Sequence, residues 1–396
     1  MSAPAQANPS TAQTGPRFIV TVVFAFLLTR VVAVIGAWIA LAPTVPPSEM
    51  FRAVVTAWDG DWYQYIATVG YDSADDLTPG LRVVCDTPAA PDCHDGQPDR
   101  HSNLAFFTLF PLMIRALAAV GADPMVAAVG IAVIGSLVAA VLIAVIARDF
   151  AGPRFGVIAV VLWGCWPANI VLTSGRPESL FVALAAGTLL LALRHHFVWA
   201  AWLAAIAGLL RFQSIAIVVP LVLAAWVWGA RTRNWRAPVV VTVIAPIGLV
   251  TSLAFIGQRM GRATGWFDIQ REWKSTNDWG AAKLQYLADN LFGDTPTHQM
   301  AAWTIVAACL LFVAAVLIRI PWPLTVYAGI LLAGVLVQAH FHQHSMRFLL
   351  VAFPLVFPIA WLLRRWPTWL VVVVLCATAV ASATLQLWLW REGFSF

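Results

Sequence analysis

Apolar runs near the length that a helix needs to cross a bilayer follow one another along almost the whole chain. They cover residues 18–42, 125–147, 155–173, 178–194, 197–210, 214–230, 238–257, 301–318, 323–340, 347–363 and 367–390. Spanning a hydrocarbon core takes about 20 helical residues, and no soluble core could use so many such runs in a chain that is 61% hydrophobic and 11% charged. The predicted fold is an all-α polytopic membrane protein with about 11 transmembrane helices.

The first run is too long for a signal-peptide core. It carries Arg30 in its middle, and residues 1–16 hold no basic side chain. It therefore reads as a retained helix. Residues 1–16, rich in Ser, Ala, Pro and Gln, form an expected disordered tail, and residues 17–396 form a single membrane domain. The runs at 197–210 and 214–230 flank Arg211 and could instead be one long tilted or broken helix.

Arginines set the expected orientation. With a cytoplasmic N-terminus, Arg148, Arg154, Arg194, Arg231, Arg233, Arg236, Arg319, Arg364 and Arg365 all fall in short cytoplasmic turns, beside a single acid, Asp149. That is the positive-inside pattern. Two long loops, about 43–124 and 258–300, then face outward. Ten of the 19 acids lie between Glu49 and Asp99, so the net charge of +5 reports topology and gives no argument for nucleic acid. Cys85 and Cys93 share the first loop and are expected to form a short disulfide in an oxidising compartment. A zinc site using both thiols with His94 and His101 is the weaker alternative. Cys165, Cys309 and Cys376 lie in apolar runs and read as packing residues.

Residues 58–63 read WDGDWY, beside the first span. Their aromatics, with Tyr65, Ile66 and Val69, fit a short helix at headgroup level. Asp59 and Asp61 leave such a helix in different directions, since residues two apart do not share a face. Two further stretches stand out: NLAFFTLFPLMIR at 103–115 and SGRPESLFVALAA at 174–186. In the second, Glu178 opens an apolar helix, where a carboxylate could simply serve the helix N-terminus.

Together the three stretches resemble the PIG-V family of mannosyltransferases and its actinobacterial relatives. The resemblance rests on Trp58, Asp59 and Tyr63, on Phe106, Phe107, Phe110 and Pro111, and on Glu178, Ser179, Leu180 and Phe181. Ala57 replaces a basic residue, Trp62 a histidine and Pro177 a serine, and the second motif is stretched, so the acceptor is left open. What the resemblance implies is a GT-C fold in a bacterial plasma membrane. It also implies an inverting transfer of mannose from a polyprenyl-phosphate donor to a lipid-linked or cell-envelope acceptor at the outer face.

Under that implication Asp59 is the catalytic base. Trp58, Asp61, Tyr63 and Glu178 surround the substrate, and Arg176, Arg211, Arg271 and Arg347 are candidate phosphate ligands. His340 and His344, from the cluster His340, His342 and His344, are candidates for phosphate or acceptor binding. No cofactor is expected, although the histidines leave a divalent metal as an alternative. In the second loop, Trp266, Phe267, Trp273 and Trp279 suit sugar stacking or isoprenoid docking; an interfacial helix carrying Lys274 and Lys283 is the alternative. Arg30 has no assigned role. A flippase for lipid-linked saccharides, or a non-catalytic subunit of a glycosylation complex, are the competing readings; against the flippase, no internal repeat is visible.

Overall fold

The helix Glu178–Leu193 buries twelve of its sixteen residues. A helix apolar on every side belongs inside a bundle, and any charge at its end must find a partner there. The computed structural model describes residues 15–56, 59–71, 93–94, 97–98, 102–273 and 275–391. Trp58, Cys85, His101 and the side chain of Cys93 lie outside the described residues, and with them the disulfide and zinc expectations.

Helices in chain order are α1 (Pro16–Leu41), α2 (Met50–Thr56), α3 (Asp59–Thr68), α4 (Leu109–Ala119), α5 (Pro124–Ala151), α6 (Pro153–Gly164) and the enclosed α7 (Glu178–Leu193). Then come α8 (Phe197–Gly208), α9 (Ile215–Thr232), α10 (Arg236–Ile244), α11 (Ile247–Arg259), α12 (Gly265–Glu272) and α13 (Ala281–Asn290). The last are α14 (Pro296–Leu317), α15 (Trp322–Val337), α16 (Ser345–Leu350), α17 (Phe357–Leu363) and α18 (Thr368–Arg391).

Among the described residues, six helical segments are long and apolar enough to span a membrane, or seven if a bent pair counts as one. The expected count of about 11 is not reached on length: α6, α7, α8 and α15 are apolar but shorter.

Packing is carried by small side chains. Along α5, Ala128, Ala132, Ala139, Ala140 and Ala144 are fully buried, and a Cβ on Gly135 would meet the backbone nitrogen of Leu180 at 2.8 Å. Lipid gives apolar helices no hydrophobic reason to associate, so close backbone approach and dispersion hold such a bundle together. The contact of α5 with α7 is the most extensive in the molecule, and it fixes the depth of Glu178.

Two expected spans are broken, each at a proline. The run 155–173 stops being α-helical at Gly164, and Ala168, just after Pro167, adopts a left-handed φ of 65°. The run 347–363 bends by 86° between His342–Leu350 and Phe353–Leu363, because Pro354 lacks the N–H that a continuous helix needs. Unsatisfied backbone groups are tolerated at this depth only inside protein. Here side chains at the first break satisfy the second: the indoles of Trp163 and Trp166 donate to the carbonyls of Leu350 (3.1 Å) and Met346 (2.9 Å). Arg30 acquires a role at the same place. Its guanidinium donates to the carbonyls of Gly164 and Asn169, the latter at 2.6 Å, and Asn169 donates onward to Ser382 at 2.6 Å.

The opposite end of the bundle gathers the short basic turns. Arg148 and Arg194 both pair with Asp149, at 2.6 and 2.8 Å, and Arg154 donates to the Trp366 carbonyl at 2.5 Å.

Candidate active site

Asp59 opens α3, whose start lies close against the end of α2. Only glycine fits next: a Cβ on Gly60 would lie 2.1 Å from the Val55 carbonyl oxygen. The aromatic pattern of α3 suggests an anchor in lipid headgroups, but three of the residues that carry it turn inward. Trp62, Tyr63 and Ile66 are buried in protein. Trp62 stacks on Phe106 at 5.6 Å, and Tyr63 meets Phe106 and Phe110 edge-on, each at 5.1 Å. The first two sequence motifs thus form one aromatic cluster, which seats Asp59.

The third motif supplies the floor. Glu178 is fully buried at the start of α7, where its Oε1 accepts from Arg347 Nε at 2.5 Å and lies 2.5 Å from Arg211 Nη1. Arg347 also donates to Asp59 through its other arm. Arg176 is buried beside them, near enough for its charge to act on Asp59. Three guanidiniums therefore face two carboxylates. Buried ions need partners of opposite sign.

Burial opposes ionisation of Asp59, but the Arg347 and Arg176 guanidiniums outweigh it and hold the carboxyl below its usual range. Burial pushes the Tyr63 phenol well above its usual range, so the ring stays neutral beside the carboxylate.

Asp59, Tyr63, Arg211, His344 and Arg347 line a cavity of about 510 Å³. One flank is apolar, formed by Ile215 and Ala216 at the start of α9 and by Ile330, Leu331 and Val335 on α15. The aromatics Phe106, Phe107, Phe212, Trp266 and Trp273 form another. Trp273 donates to the Ser102 carbonyl at 3.3 Å, tying the second loop to the first.

Other expected site residues fall elsewhere. Arg271 is 68% exposed and pairs with Asp268 on the surface of α12, whose inward face buries Ile269. His340 is exposed, Asp61 is half-buried, and neither lines the cavity. Glu178 stands behind the two arginines instead of on the wall. No group of three or more His, Cys, Asp or Glu residues suited to a metal occurs among the described residues. Sequence reasoning missed Gln213, Asn277 and Gln338, all on the cavity wall. The available signal was an amide beside an already flagged charge, in RFQS and LVQAH.

No family model matches the chain, and no curated protein does. Among solved structures, it is similar to ArnT from Cupriavidus metallidurans bound to undecaprenyl phosphate, with a TM-score of 0.52 and 14% identity. The all-helical architecture is thus like that of ArnT in fold. The match covers 91% of this chain and 63% of ArnT, so this chain spans less than two thirds of that protein's length.

Proposed function

We propose that the protein is a membrane glycosyltransferase that takes its sugar from a polyprenyl-phosphate donor. One observation carries the reading: a carboxylate on a cavity wall, Asp59, hydrogen-bonded to an arginine on the same wall, Arg347. Support comes from the apolar flank beside those charges, which suits an isoprenoid, and from the undecaprenyl phosphate bound to ArnT, a protein of like fold.

The chemistry follows from the charges. An acceptor hydroxyl attacks the anomeric carbon and gives its proton to the Asp59 carboxylate. The bond from that carbon to the phosphate oxygen breaks, and its electron pair leaves with the phosphate. Arg347 and Arg211 neutralise the departing oxygen, so each group acts where charge develops. Attack opposite the leaving phosphate inverts the anomeric centre.

Arg347 has a double task. While paired with Asp59 it depresses the basicity of that carboxylate, whereas an efficient base has a pKa near the working pH. A bound phosphate competes for the same guanidinium. Donor binding therefore loosens the pair and raises the basicity of Asp59 only when there is a phosphate to displace.

The PIG-V resemblance favours mannose as the sugar and an envelope lipid or glycan as the acceptor. The arginine-rich turns at the other end favour an outward-facing site. The test is transfer of radiolabelled mannose from its polyprenyl phosphate to fractionated envelope lipids by the purified protein. A labelled product is expected; donor binding without transfer to any fraction would argue for a carrier.

A further inference from the structure

Among the described residues that line the cavity, the ionic and imidazole groups are Asp59, Arg211, His344 and Arg347, and the other polar groups are amides, hydroxyls, indoles and one phenol. Two of these groups are buried without a hydrogen-bond partner among the described residues: the Gln213 Oε1 acceptor and the Trp266 Nε1 donor. Buried polar atoms are almost always paired, and an orphan costs about 1–3 kcal/mol. One acceptor and one donor on one wall are the complement of hydroxyl groups.

Both are held in place. The Trp266 ring stacks on Phe212 at 4.3 Å with an interplanar angle of 20°, and Phe212 adjoins Gln213. More amides are brought in by a contact that no local pattern announces. Residue Asn277 of the second loop bridges to Gln338 at the end of α15. The Ala339 amide donates to the Thr276 carbonyl at 2.9 Å, and the Asp278 amide to that of Val337 at 3.2 Å. This short pairing sets Asn277 and Gln338 on the wall that Gln270 also lines.

We infer that Gln213 and Trp266, backed by Gln270, Asn277 and Gln338, form a subsite for the hydroxyls of a neutral sugar carried on the lipid phosphate. The inference rests on the donor proposed above and narrows it. Among the described residues the amide wall brings no carboxylate to pair an amino sugar and no cation to pair a sugar acid. A charged substituent would be desolvated there uncompensated.

Two variants remove the two atoms: Gln213→Leu removes the amide with its acceptor, and Trp266→Phe removes the donor while keeping a smaller ring against Phe212. Binding of undecaprenyl phosphate and of undecaprenyl-phosphate mannose is measured for the purified full chain and both variants. The wild type should bind the mannosyl lipid more tightly than the bare phosphate. Each variant should lose about tenfold for the mannosyl lipid, the scale of one hydrogen bond, and bind the bare phosphate as the wild type does. Unchanged mannosyl-lipid binding in both variants would overturn the subsite and leave the lipid-phosphate reading standing. Equal loss of both lipids would also overturn it, by putting these atoms on the phosphate. Failure of the wild type to bind either lipid would remove the donor assignment and the subsite with it.

Discussion

Arg347 donates to Asp59 across a separation of 288 residues in the chain. The hydrogen bond joins the first interhelical region to a helix near the C-terminus. It exists because Pro354 bends the late span and the Trp163 and Trp166 indoles hold the bent piece inward.

Glu178 is fully buried between Arg211 and Arg347. Glu178→Gln leaves buried guanidiniums without their counter-charge, and breaking a buried pair costs about 3–5 kcal/mol. The unfolding midpoint in detergent should fall by several degrees, and donor binding should weaken with it. An unchanged midpoint would mean that water or lipid already satisfies the arginines.

Arg211 and Asp59 should separate binding from chemistry. Arg211→Gln removes a positive charge from the cavity wall and should weaken undecaprenyl phosphate binding by about tenfold, in keeping with one charge-assisted hydrogen bond. Asp59→Asn should bind that lipid at least as well, because it frees Arg347. Titration of both variants with undecaprenyl phosphate checks the order, and the reverse order would contradict it.

The carboxyl of Asp59 is held below its ordinary range. A depressed pKa keeps the ionised form populated throughout the range above about 3.9, the ordinary aspartate value. The stability it confers is present there and is lost only as pH falls through the lower folded value. Infrared difference spectra of wild type against Asp59→Asn at about pH 5 should show no protonated carboxyl assigned to Asp59. Arg347→Gln removes the main opposing influence, and burial should then raise the pKa enough for such a band to appear.

Gly60 is fixed by the approach of the Val55 carbonyl, 2.1 Å from where a Cβ would sit. Gly60→Ala must open the junction of α2 with α3 and displace Asp59. A misplacement of about 1 Å can cost about 10²-fold in rate, so transfer should fall by that order while the midpoint of unfolding moves little. Wild-type activity in this variant would show that the position of Asp59 is not set by this junction.

Much of the site was legible because charge inside an apolar chain is rare. Glu178, Arg211 and Arg347 stand out against apolar runs, and a charge at such depth needs a reason to be there, whereas Asp59 lies among the ten acids of the first loop and is singled out by the family resemblance. Arg271 misled for the complementary reason: in a mixed loop, a basic residue facing solvent and one facing a cavity look alike until the face burying Ile269 is known. The helix boundaries followed hydropathy, but the breaks after Gly164 and before Pro354 depended on whether distant groups could satisfy the exposed backbone. The aromatics Trp62 and Tyr63 misled about environment, since burial against Phe106 and burial in headgroups need the same side chains. Gln213 and Gln338 gave little signal, because an amide in an apolar run has meaning only when a cavity is seen beside it.

The most direct measurement is mannose transfer from polyprenyl-phosphate mannose by purified Asp59→Asn and Asp61→Asn, with donor binding recorded for both. The Asp59 variant should keep the donor and lose about 10²-fold or more in transfer, the scale of general base catalysis, while the Asp61 variant, changed at a residue off the cavity wall, should be milder. Near-normal transfer by Asp59→Asn, with loss in Asp61→Asn, would contradict the assignment of the base.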